Sequence, residues 1–339
     1  MKADPGPAVP RAGLLIHVGM QKTGSTALQN FLLANRRALA GKGLHYIAHG
    51  RKNISHNRLY RPLRGEAAGQ VWREIAAETA AHGGALSLLS SELLFDRGIA
   101  EAMARHMPGA LRAQARVVVY ARRQDTYLEA MYKQKTKNGR ENLSPQAFVD
   151  KKGDELGDYA AVLDSFADAL GADRILLRRF ERGAMVDGDI VADFLSLLGL
   201  DKADDTFVQP AHEANQTLSR AVTEQLGALA RHSGVNVREL AREMMRDPAG
   251  APRRSGDVFT NDQRRRIMAR FEPGNARIAR RFLNGGDVPL FEMSDLAPGA
   301  PERHPDAAEE IRLYAEAQER VAAAIGRVEA RGRAKLFRG

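Results

Sequence analysis

The sequence contains no cysteine among its 339 residues, so disulfide bonds, thiolate nucleophiles and cysteine-ligated metal sites are excluded. It has no apolar run of roughly 18 residues, so we expect no spanning helix and no stable membrane insertion. No apolar signal-peptide core is present near the N-terminus, and the default expectation is a cytoplasmic protein. Aromatic residues make up only 6% and do not alternate with basic ones, which argues against nucleic acid as a partner.

The charged residues show a positive excess. Lys and Arg number 51 and Asp and Glu number 42, which gives a net charge of +9. Residues 1–200 carry 28 basic and 21 acidic side chains, so the excess lies mainly in the N-terminal part. An anionic ligand bound there would suit this distribution. A GC-rich genome, which favours arginine and alanine, is an equally good explanation of the same composition.

Short apolar segments alternate with helical stretches over the first 200 residues. Strands are predicted at 14–19, 43–47, 85–90, 115–121 and 174–178, and helices after Gly24 and over 66–81, 125–137, 156–169 and 189–198. Strands separated by helices indicate βαβ units. The predicted fold class is therefore α/β, with a parallel sheet flanked by helices.

The chain after about residue 201 has a different character. It shows no convincing strand, and helices are predicted at 217–231, 235–246, 261–270, 273–283 and 305–330. We therefore expect three regions. A Pro- and Gly-rich, disordered N-terminus covers 1–12, a sheet-bearing core covers 13–200, and a mainly helical C-terminal cap covers 201–339.

Residues 19–26, with the sequence G-M-Q-K-T-G-S-T, lie between a predicted strand and a predicted helix. Glycine lets the backbone turn tightly, so that successive N–H groups converge on one anion. The helix N-terminus adds unpaired N–H groups and a positive dipole end. We call this segment the anion loop. The alternative is an ordinary glycine turn with a solvated lysine. The predicted ligand-binding residues are Gln21, Lys22, Thr23, Gly24, Ser25 and Thr26.

The anion loop differs from a Walker A motif, G-x-x-x-x-G-K-[ST], in which lysine follows the second glycine. Here Lys22 precedes the second glycine, and Ser25 stands where the Walker lysine would be. A lysine earlier in the loop reaches a differently placed group. No acidic pair is placed as a Walker B site, so we expect no metal.

The stretch I-H-V-G-M-Q-K-T-G-S-T-A-L-Q resembles the 5′-phosphosulfate loop of sulfotransferases, which use 3′-phosphoadenosine 5′-phosphosulfate (PAPS) as co-substrate. The resemblance is to bacterial members with the K-T-G-[ST]-T form, and it covers about residues 13–200. It implies a P-loop-type parallel sheet. It also implies transfer of a sulfuryl group from PAPS to a hydroxyl of a small-molecule or glycan acceptor, such as a carbohydrate or glycolipid.

A second family motif is matched only in part. Sulfotransferases hold the 3′-phosphate with an arginine after a later strand and a serine eight residues further on. Arg122, after V-V-V-Y-A, matches the arginine. The serine position is occupied by Ala130, which offers no hydroxyl, and Lys133 or Arg123 is a candidate to replace it.

The implied chemistry needs a cation and a base. Lys22 is the candidate for neutralising the leaving phosphate oxygen. Glu92 follows the predicted strand at 85–90, where other family members carry their histidine or glutamate base. His56, in a polar loop, is the second candidate base. His17, inside the first predicted strand, is expected to be a core residue.

Two readings besides a sulfotransferase stay open from the residues alone. A P-loop small-molecule kinase would share the anion loop, and a non-catalytic nucleotide-binding protein would explain the missing serine at Ala130. The basic stretch 133–140 is either a contact for an anionic ligand or a solvated helix end. Neither the acceptor nor the oligomeric state follows from the sequence.

Overall fold

The computed structural model describes residues 9–141, 143–210, 218–232, 235–246, 256–283 and 288–336. In this part of the chain the strands are β1 (Gly13–His17), β2 (Leu44–Tyr46), β3 (Leu86–Ser90), β4 (Ala115–Ala121) and β5 (Ile175–Arg179). The helices are α1 (Ser25–Ala34), α2 (Arg36–Gly41), α3 (Tyr60–Leu63), α4 (Ala68–Ala81), α5 (Arg97–His106), α6 (Gly109–Gln114), α7 (Gln124–Lys137), α8 (Pro145–Gly157), α9 (Tyr159–Leu170), α10 (Ile190–Ser196), α11 (Arg220–His232), α12 (Val237–Arg246), α13 (Asn261–Phe282) and α14 (Ala307–Leu336).

The strands form one parallel sheet in the order β2-β3-β1-β4-β5. Strands β1 and β3 are buried along their whole length, as expected for parallel strands that are covered on both faces. The predicted α/β class, with a parallel sheet and flanking helices, is confirmed. Each predicted strand is found close to its predicted position.

The chain divides into two compact units that are not contiguous in sequence. The first comprises 1–123, 158–212 and 272–292 and contains the sheet. The second comprises 124–157, 213–271 and 293–339. The predicted core at 13–200 and cap at 201–339 stay a prediction. The two units are divided differently, since 124–157 belongs to the second unit and 272–292 to the first.

The expected disordered N-terminus falls mostly outside the described residues, since residues 1–8 are not among them. Within the rest of that segment, Val9 is buried and donates its N–H to Leu197 O at 3.3 Å. Val9 belongs to the same apolar core as Leu15 of β1 and Phe31 of α1. The sheet-bearing unit therefore includes packing contacts that begin before β1.

A buried carboxylate joins α10 to the sheet. Asp193 is completely buried and accepts hydrogen bonds from Tyr120 OH at 2.8 Å, Arg178 Nε at 3.0 Å and Val186 N at 3.0 Å. A buried charge is tolerated only when it is paired and fully hydrogen bonded. The pairing of Asp193 with Arg178 fixes α10 against β4 and β5 at the edge of the sheet.

The second unit contains a buried charge cluster on α7. Arg264 of α13 pairs with Asp125 at 3.1 Å and also with Glu129. Lys133 pairs with Glu129 at 3.5 Å and also with Asp257. All five side chains are buried, so removal of any one would leave an unpaired charge inside this unit.

The helix prediction is incomplete in two respects. Helices α3, α5, α6 and α8 have no counterpart among the predicted helices. The two helices predicted at 261–270 and 273–283 are one helix, α13, which continues through Pro273. Proline lacks an N–H and disfavours the helical conformation of the preceding residue, so sequence reasoning places a break there.

Candidate active site

The anion loop, residues 19–26, follows β1 and leads into α1. Strand β1 is central, with β3 and β2 on one side and β4 and β5 on the other, so the strand order reverses at this position. In open parallel sheets, ligands bind beyond the carboxyl ends of the strands at such a switch point. The loop therefore lies where this fold offers a binding crevice.

Two glycines give the loop its shape. Gly24 has a φ of 75°, in the left-handed region that favours glycine, and a Cβ there would lie 3.2 Å from Ile190 Cγ2. At Gly19 a Cβ would lie 2.6 Å from His17 Nε2 and 2.7 Å from Ser25 Oγ. A larger residue at Gly19 would therefore displace His17 of β1 or Ser25 of α1, which pack against the loop.

The middle of the loop is held by hydrogen bonds to its backbone. Lys22 has a φ of 63°, and Arg122 Nη1 donates to Lys22 O at 2.7 Å. Thr23 Oγ1 donates to Met20 O at 2.6 Å. Arg122 follows β4 directly, and its own carbonyl accepts from Tyr159 OH at 2.8 Å. The structure thus brings Lys22 and Arg122 together, as expected if both serve one ligand.

The N-terminus of α1 carries an unpaired buried hydroxyl. Ser25 is 5% exposed, and its Oγ has no hydrogen-bond partner among the described residues. The preceding Gly24 has no side chain to cap the first N–H groups of the helix. Buried hydroxyls are nearly always paired, so these features together fit an anion that accepts from both. Thr26 is exposed and Gln21 is half-buried in the same loop.

Glu92 lies two residues beyond β3 and is half-buried. Gln29 Nε2 donates to Glu92 Oε2 at 3.2 Å, and Asn57 Nδ2 donates to Oε1 at 2.8 Å. The N–H of Ser91 donates to His17 O at 3.0 Å, which keeps this segment beside the end of β1. The candidate base is therefore a carboxylate at the same sheet edge as the anion loop.

His56 is completely buried, and both of its ring nitrogens form hydrogen bonds with backbone groups. Ser90 N–H donates to Nδ1 at 3.1 Å, and Nε2–H donates to Ile47 O at 2.9 Å. Burial is the main cause that lowers the pKa of His56 to about 4. The ring joins the end of β3 to the segment after β2. This arrangement favours a structural role for His56 and leaves Glu92 as the better candidate base.

His17 is a buried core residue of β1, in agreement with the sequence expectation. Its Nδ1 is hydrogen bonded to Ser90 Oγ at 2.8 Å, while Nε2 has no partner among the described residues. Burial lowers the pKa of His17 to about 3. The ring is therefore neutral at physiological pH, and it packs edge-on against Tyr120 and Phe194.

The structure shows the contacts of the residues considered for the missing serine. Ala130 is half-buried on α7, in the second unit. Lys133 is committed to its ion pairs with Glu129 and Asp257, so its ammonium group is a poor substitute for the serine. Arg123 donates to Glu292 O at 2.8 Å. Neither cation is favoured by these contacts as the missing phosphate donor.

The basic stretch 133–140 covers the end of α7 and the turn after it. Burial lowers the pKa of Lys137, whose Nζ lies 3.8 Å from Met245 Sδ. Lys135 lies over the ring of Phe148 at 5.9 Å from its centroid. These contacts to neighbouring side chains lie within the second unit, so the stretch is at least partly structural.

Four polar residues of the site escaped the sequence analysis as functional candidates. They share hydrogen bonds to Glu92 or to each other, and they are Gln29, Asn57, Ser90 and Ser91. Gln29 is the last residue of the stretch that carries the family resemblance, and it lies four residues after Ser25 on α1. That helical spacing is the signal that places both on one face.

Two further properties concern only the described part of the chain. There, no group of three or more His, Asp or Glu side chains is arranged to hold a metal ion. None of the helices in the described ranges combines the length and the apolar character needed to cross a bilayer.

Comparison with known proteins gives distant similarities. No family model matches the chain. An uncharacterized protein from Archaeoglobus fulgidus is 26% identical over 203 residues, and the match covers 54% of this chain and 52% of the relative. The chain thus spans about half the length of the curated relative that it matches.

Two solved structures resemble the fold. A sulfotransferase from Alicyclobacillus acidocaldarius matches at 19% identity, over 61% of this chain and 88% of its own, with a TM-score of 0.39. The sulfotransferase domain of the olefin synthase from Synechococcus PCC 7002 matches at 15% identity, over 80% of this chain and 98% of its own, with a TM-score of 0.36. At TM-scores this low, the likeness carries no argument about the activity of the chain.

Proposed function

We propose that this protein is a sulfotransferase that moves a sulfuryl group from PAPS to a hydroxyl of a small-molecule or glycan acceptor. One observation carries the proposal: an anion loop and a carboxylate, Glu92, lie at the same edge of one parallel sheet. The loop supplies donors for a sulfate or phosphate group. The carboxylate supplies the base that an attacking hydroxyl requires.

The residues of the anion loop fit the 5′ end of PAPS. The buried hydroxyl of Ser25 has no partner among the described residues, and the start of α1 offers N–H groups to an anion. Thr26 adds an exposed hydroxyl and Lys22 an exposed side chain that carries a positive charge. Gln21, Thr23 and Gly24 contribute backbone groups of the same loop. These residues would bind the phosphosulfate end of the donor.

Arg122 is the residue that we propose for the 3′-phosphate. Its Nη1 donates to Lys22 O at 2.7 Å, which holds the guanidinium group, a permanent cation, beside the anion loop. Ala130, at the position of the family serine, has no hydroxyl to add. Of the two positions that hold the 3′-phosphate in the family, only Arg122 is therefore proposed to bind it here.

The reaction exchanges one sulfur–oxygen bond for another. When bound, PAPS supplies a sulfuryl group whose bond to the phosphate oxygen breaks as a bond to the acceptor oxygen forms. Lys22 stabilises the negative charge that develops on the phosphate oxygen. Glu92 takes the proton from the acceptor hydroxyl. A sulfuryl group in transfer carries less negative charge than a phosphoryl group, so the mechanism needs no metal clamp.

Ligand binding tests the class of donor. Titration calorimetry compares adenosine 3′,5′-bisphosphate with ADP and ATP, each in the presence and absence of magnesium. We expect the bisphosphate to bind most tightly and independently of magnesium. Tighter binding of ATP with magnesium would favour a kinase and overturn the proposal.

Turnover tests the chemistry. We expect the protein to convert radiolabelled PAPS to the bisphosphate and to transfer label to hydroxyl acceptors from a carbohydrate and glycolipid panel. Tight bisphosphate binding without any transfer, and without slow hydrolysis of PAPS by water, would instead indicate a nucleotide-binding protein that has no catalytic activity.

A pair of variants tests the base. Glu92→Gln keeps the shape of the side chain and removes the base, so we expect kcat to fall by roughly 10² to 10⁴ at saturating donor, with bisphosphate binding unchanged. His56→Ala changes a residue whose nitrogens both serve the backbone, and we expect its main effect on stability. Near-normal turnover of Glu92→Gln would remove Glu92 from the mechanism.

A further inference from the structure

Both oxygens of the Glu92 carboxylate are held by side-chain amides that come from different elements. Gln29, on α1, donates to Oε2 at 3.2 Å, and Asn57, in the segment between β2 and α3, donates to Oε1 at 2.8 Å. An amide donates a hydrogen bond without bringing a net charge. The carboxylate is therefore oriented at both oxygens by neutral donors.

The orientation of the Asn57 amide is determined by its other contact. Ser91 Oγ donates to Asn57 Oδ1 at 2.6 Å, so the carbonyl end of the amide faces Ser91 and the NH₂ end must face Glu92. The hydroxyl of Ser91 also accepts from Leu93 N at 3.2 Å. Ser91, the neighbour of Glu92 in this turn, thus orients the Asn57 amide, and that amide orients the Glu92 carboxylate.

The orientation of the Gln29 amide is determined in a similar way. Its Nε2 donates to Ser90 Oγ at 3.2 Å as well as to Glu92, so both amide hydrogens have acceptors. Ser90 Oγ is in turn bonded to His17 Nδ1 on β1. Because burial keeps His17 neutral, no cation enters this network from that side.

Gln29 also connects the carboxylate to the anion loop. Ser25 opens α1, and Gln29 lies four residues later, on the same buried face of the helix. About one turn of helix, roughly 6 Å along its axis, therefore separates Ser25, which carries the unpaired hydroxyl, from Gln29, which carries the amide bonded to Glu92. Because Gln29 is part of α1, the position of its amide depends on the position of the helix that begins at the loop.

We propose that Gln29 and Asn57 are positioning residues for Glu92, and that Gln29 fixes the carboxylate relative to the helix that begins at the anion loop. This inference rests on the proposed function. Both residues act through Glu92, because their amides contact only its carboxylate oxygens and other protein groups. Their contribution is the direction in which the carboxylate faces an acceptor hydroxyl, and a misplacement of about 1 Å in such a group costs up to 10²-fold in rate.

The main test is the variant Gln29→Met, which keeps the length of the side chain and removes the amide. We expect kcat to fall by roughly 10- to 100-fold, while the affinity for adenosine 3′,5′-bisphosphate and the KM for PAPS change less than about twofold. Asn30→Met is the matched control, since Asn30 is the exposed neighbour on the same helix. It should behave as the wild type.

A double-mutant cycle separates positioning from a general structural effect. In the Glu92→Gln background the base is already absent, so Gln29→Met should lower kcat no further. An equal loss in both backgrounds would show that Gln29 acts independently of Glu92 and would overturn the inference. Asn57→Asp supplies a second variant, because it keeps an acceptor for Ser91, removes the donor to Glu92 and places a second negative charge beside it. It should lower kcat with little change in bisphosphate affinity.

Crystal structures keep the inference testable even if the protein does not transfer sulfuryl groups. The absence of transfer by the wild type would refute the proposed function alone. In that case the position of the Glu92 carboxyl group decides: a displacement of about 1 Å or more in Gln29→Met, with none in Asn30→Met, supports the positioning role. An unmoved carboxyl group in Gln29→Met would overturn it.

Discussion

The backbone conformation of Lys22 predicts that Lys22→Gly and Lys22→Ala differ in stability but not in ligand affinity. Lys22 has a φ of 63°, and a side chain with a Cβ costs about 1 to 2 kcal/mol in this left-handed region. Glycine avoids that cost but loses about 0.5 to 1 kcal/mol more conformational entropy on folding than alanine. We therefore expect Lys22→Gly to be more stable than Lys22→Ala by about 0.5 to 1 kcal/mol.

Binding should not distinguish the two variants. Each lacks the ammonium group, and a charge-assisted contact to a phosphate contributes about 1.5 to 3 kcal/mol. Both should therefore bind adenosine 3′,5′-bisphosphate roughly tenfold or more weakly than the wild type. Because the side chain of Lys22 is exposed, its truncation should remove little packing energy from the folded protein.

Urea unfolding of the two variants, followed by tryptophan fluorescence, measures the stability difference. Trp72 is the single tryptophan and is completely buried in the sheet-bearing unit, so its emission reports on the unit that contains the loop. Calorimetry on the same samples gives the affinities. A glycine variant no more stable than the alanine variant would refute the left-handed conformation at Lys22. A bisphosphate affinity that stays at the wild-type value would refute the role of its charge.

Three further predictions concern residues around the loop. Arg122→Ala should weaken binding of the bisphosphate by roughly tenfold or more and that of adenosine 5′-phosphosulfate much less, whereas equal losses in calorimetry would assign Arg122 only to its bond with Lys22 O. Gly19→Ala should destabilise the protein by about 1 to 3 kcal/mol in urea unfolding, because the new Cβ would lie 2.6 Å from His17 Nε2; wild-type stability would contradict that crowding. His17 and His56 have pKa values of about 3 and about 4 in the folded protein, below the unfolded value of 6.5, so the unfolded state binds more protons below that pH and stability falls on acidification. Between pH 7.5 and pH 5 each should contribute a loss of about 2 kcal/mol, and an undiminished acid dependence in His56→Gln would argue against it.

The sheet and its loop were predictable because each is encoded by neighbouring residues. Parallel strands buried on both faces are short continuous apolar runs, as in the V-V-V-Y of β4. The glycines and the lysine of the anion loop lie within eight consecutive positions, directly between β1 and α1. The approximate location of Glu92 followed from one rule, that ligands bind beyond the carboxyl ends of the strands.

The partners of Glu92 could not be predicted, because they depend on long-range packing. Gln29 lies 63 residues before Glu92, and Asn57 lies 35 residues before it. No local pattern specifies which amide meets which carboxylate across such distances. His56 shows the same limit, since its loop is polar in sequence while its ring is buried between backbone groups. The unit boundaries also escaped prediction, because α7 and α8 precede the sequence segments with which they form a compact unit.

Neutral amides are better partners than cations for a base that works beside an anion loop. A lysine or arginine in place of Gln29 would form an ion pair with Glu92, and that pair would have to be disrupted each time the carboxylate takes a proton. Such a cation would also compete with Lys22 for the anionic donor of the proposed reaction. An amide still donates to one oxygen after the other has taken the proton, so the geometry is kept in both states. The two amides observed on Glu92 are therefore consistent with proton transfer at this position.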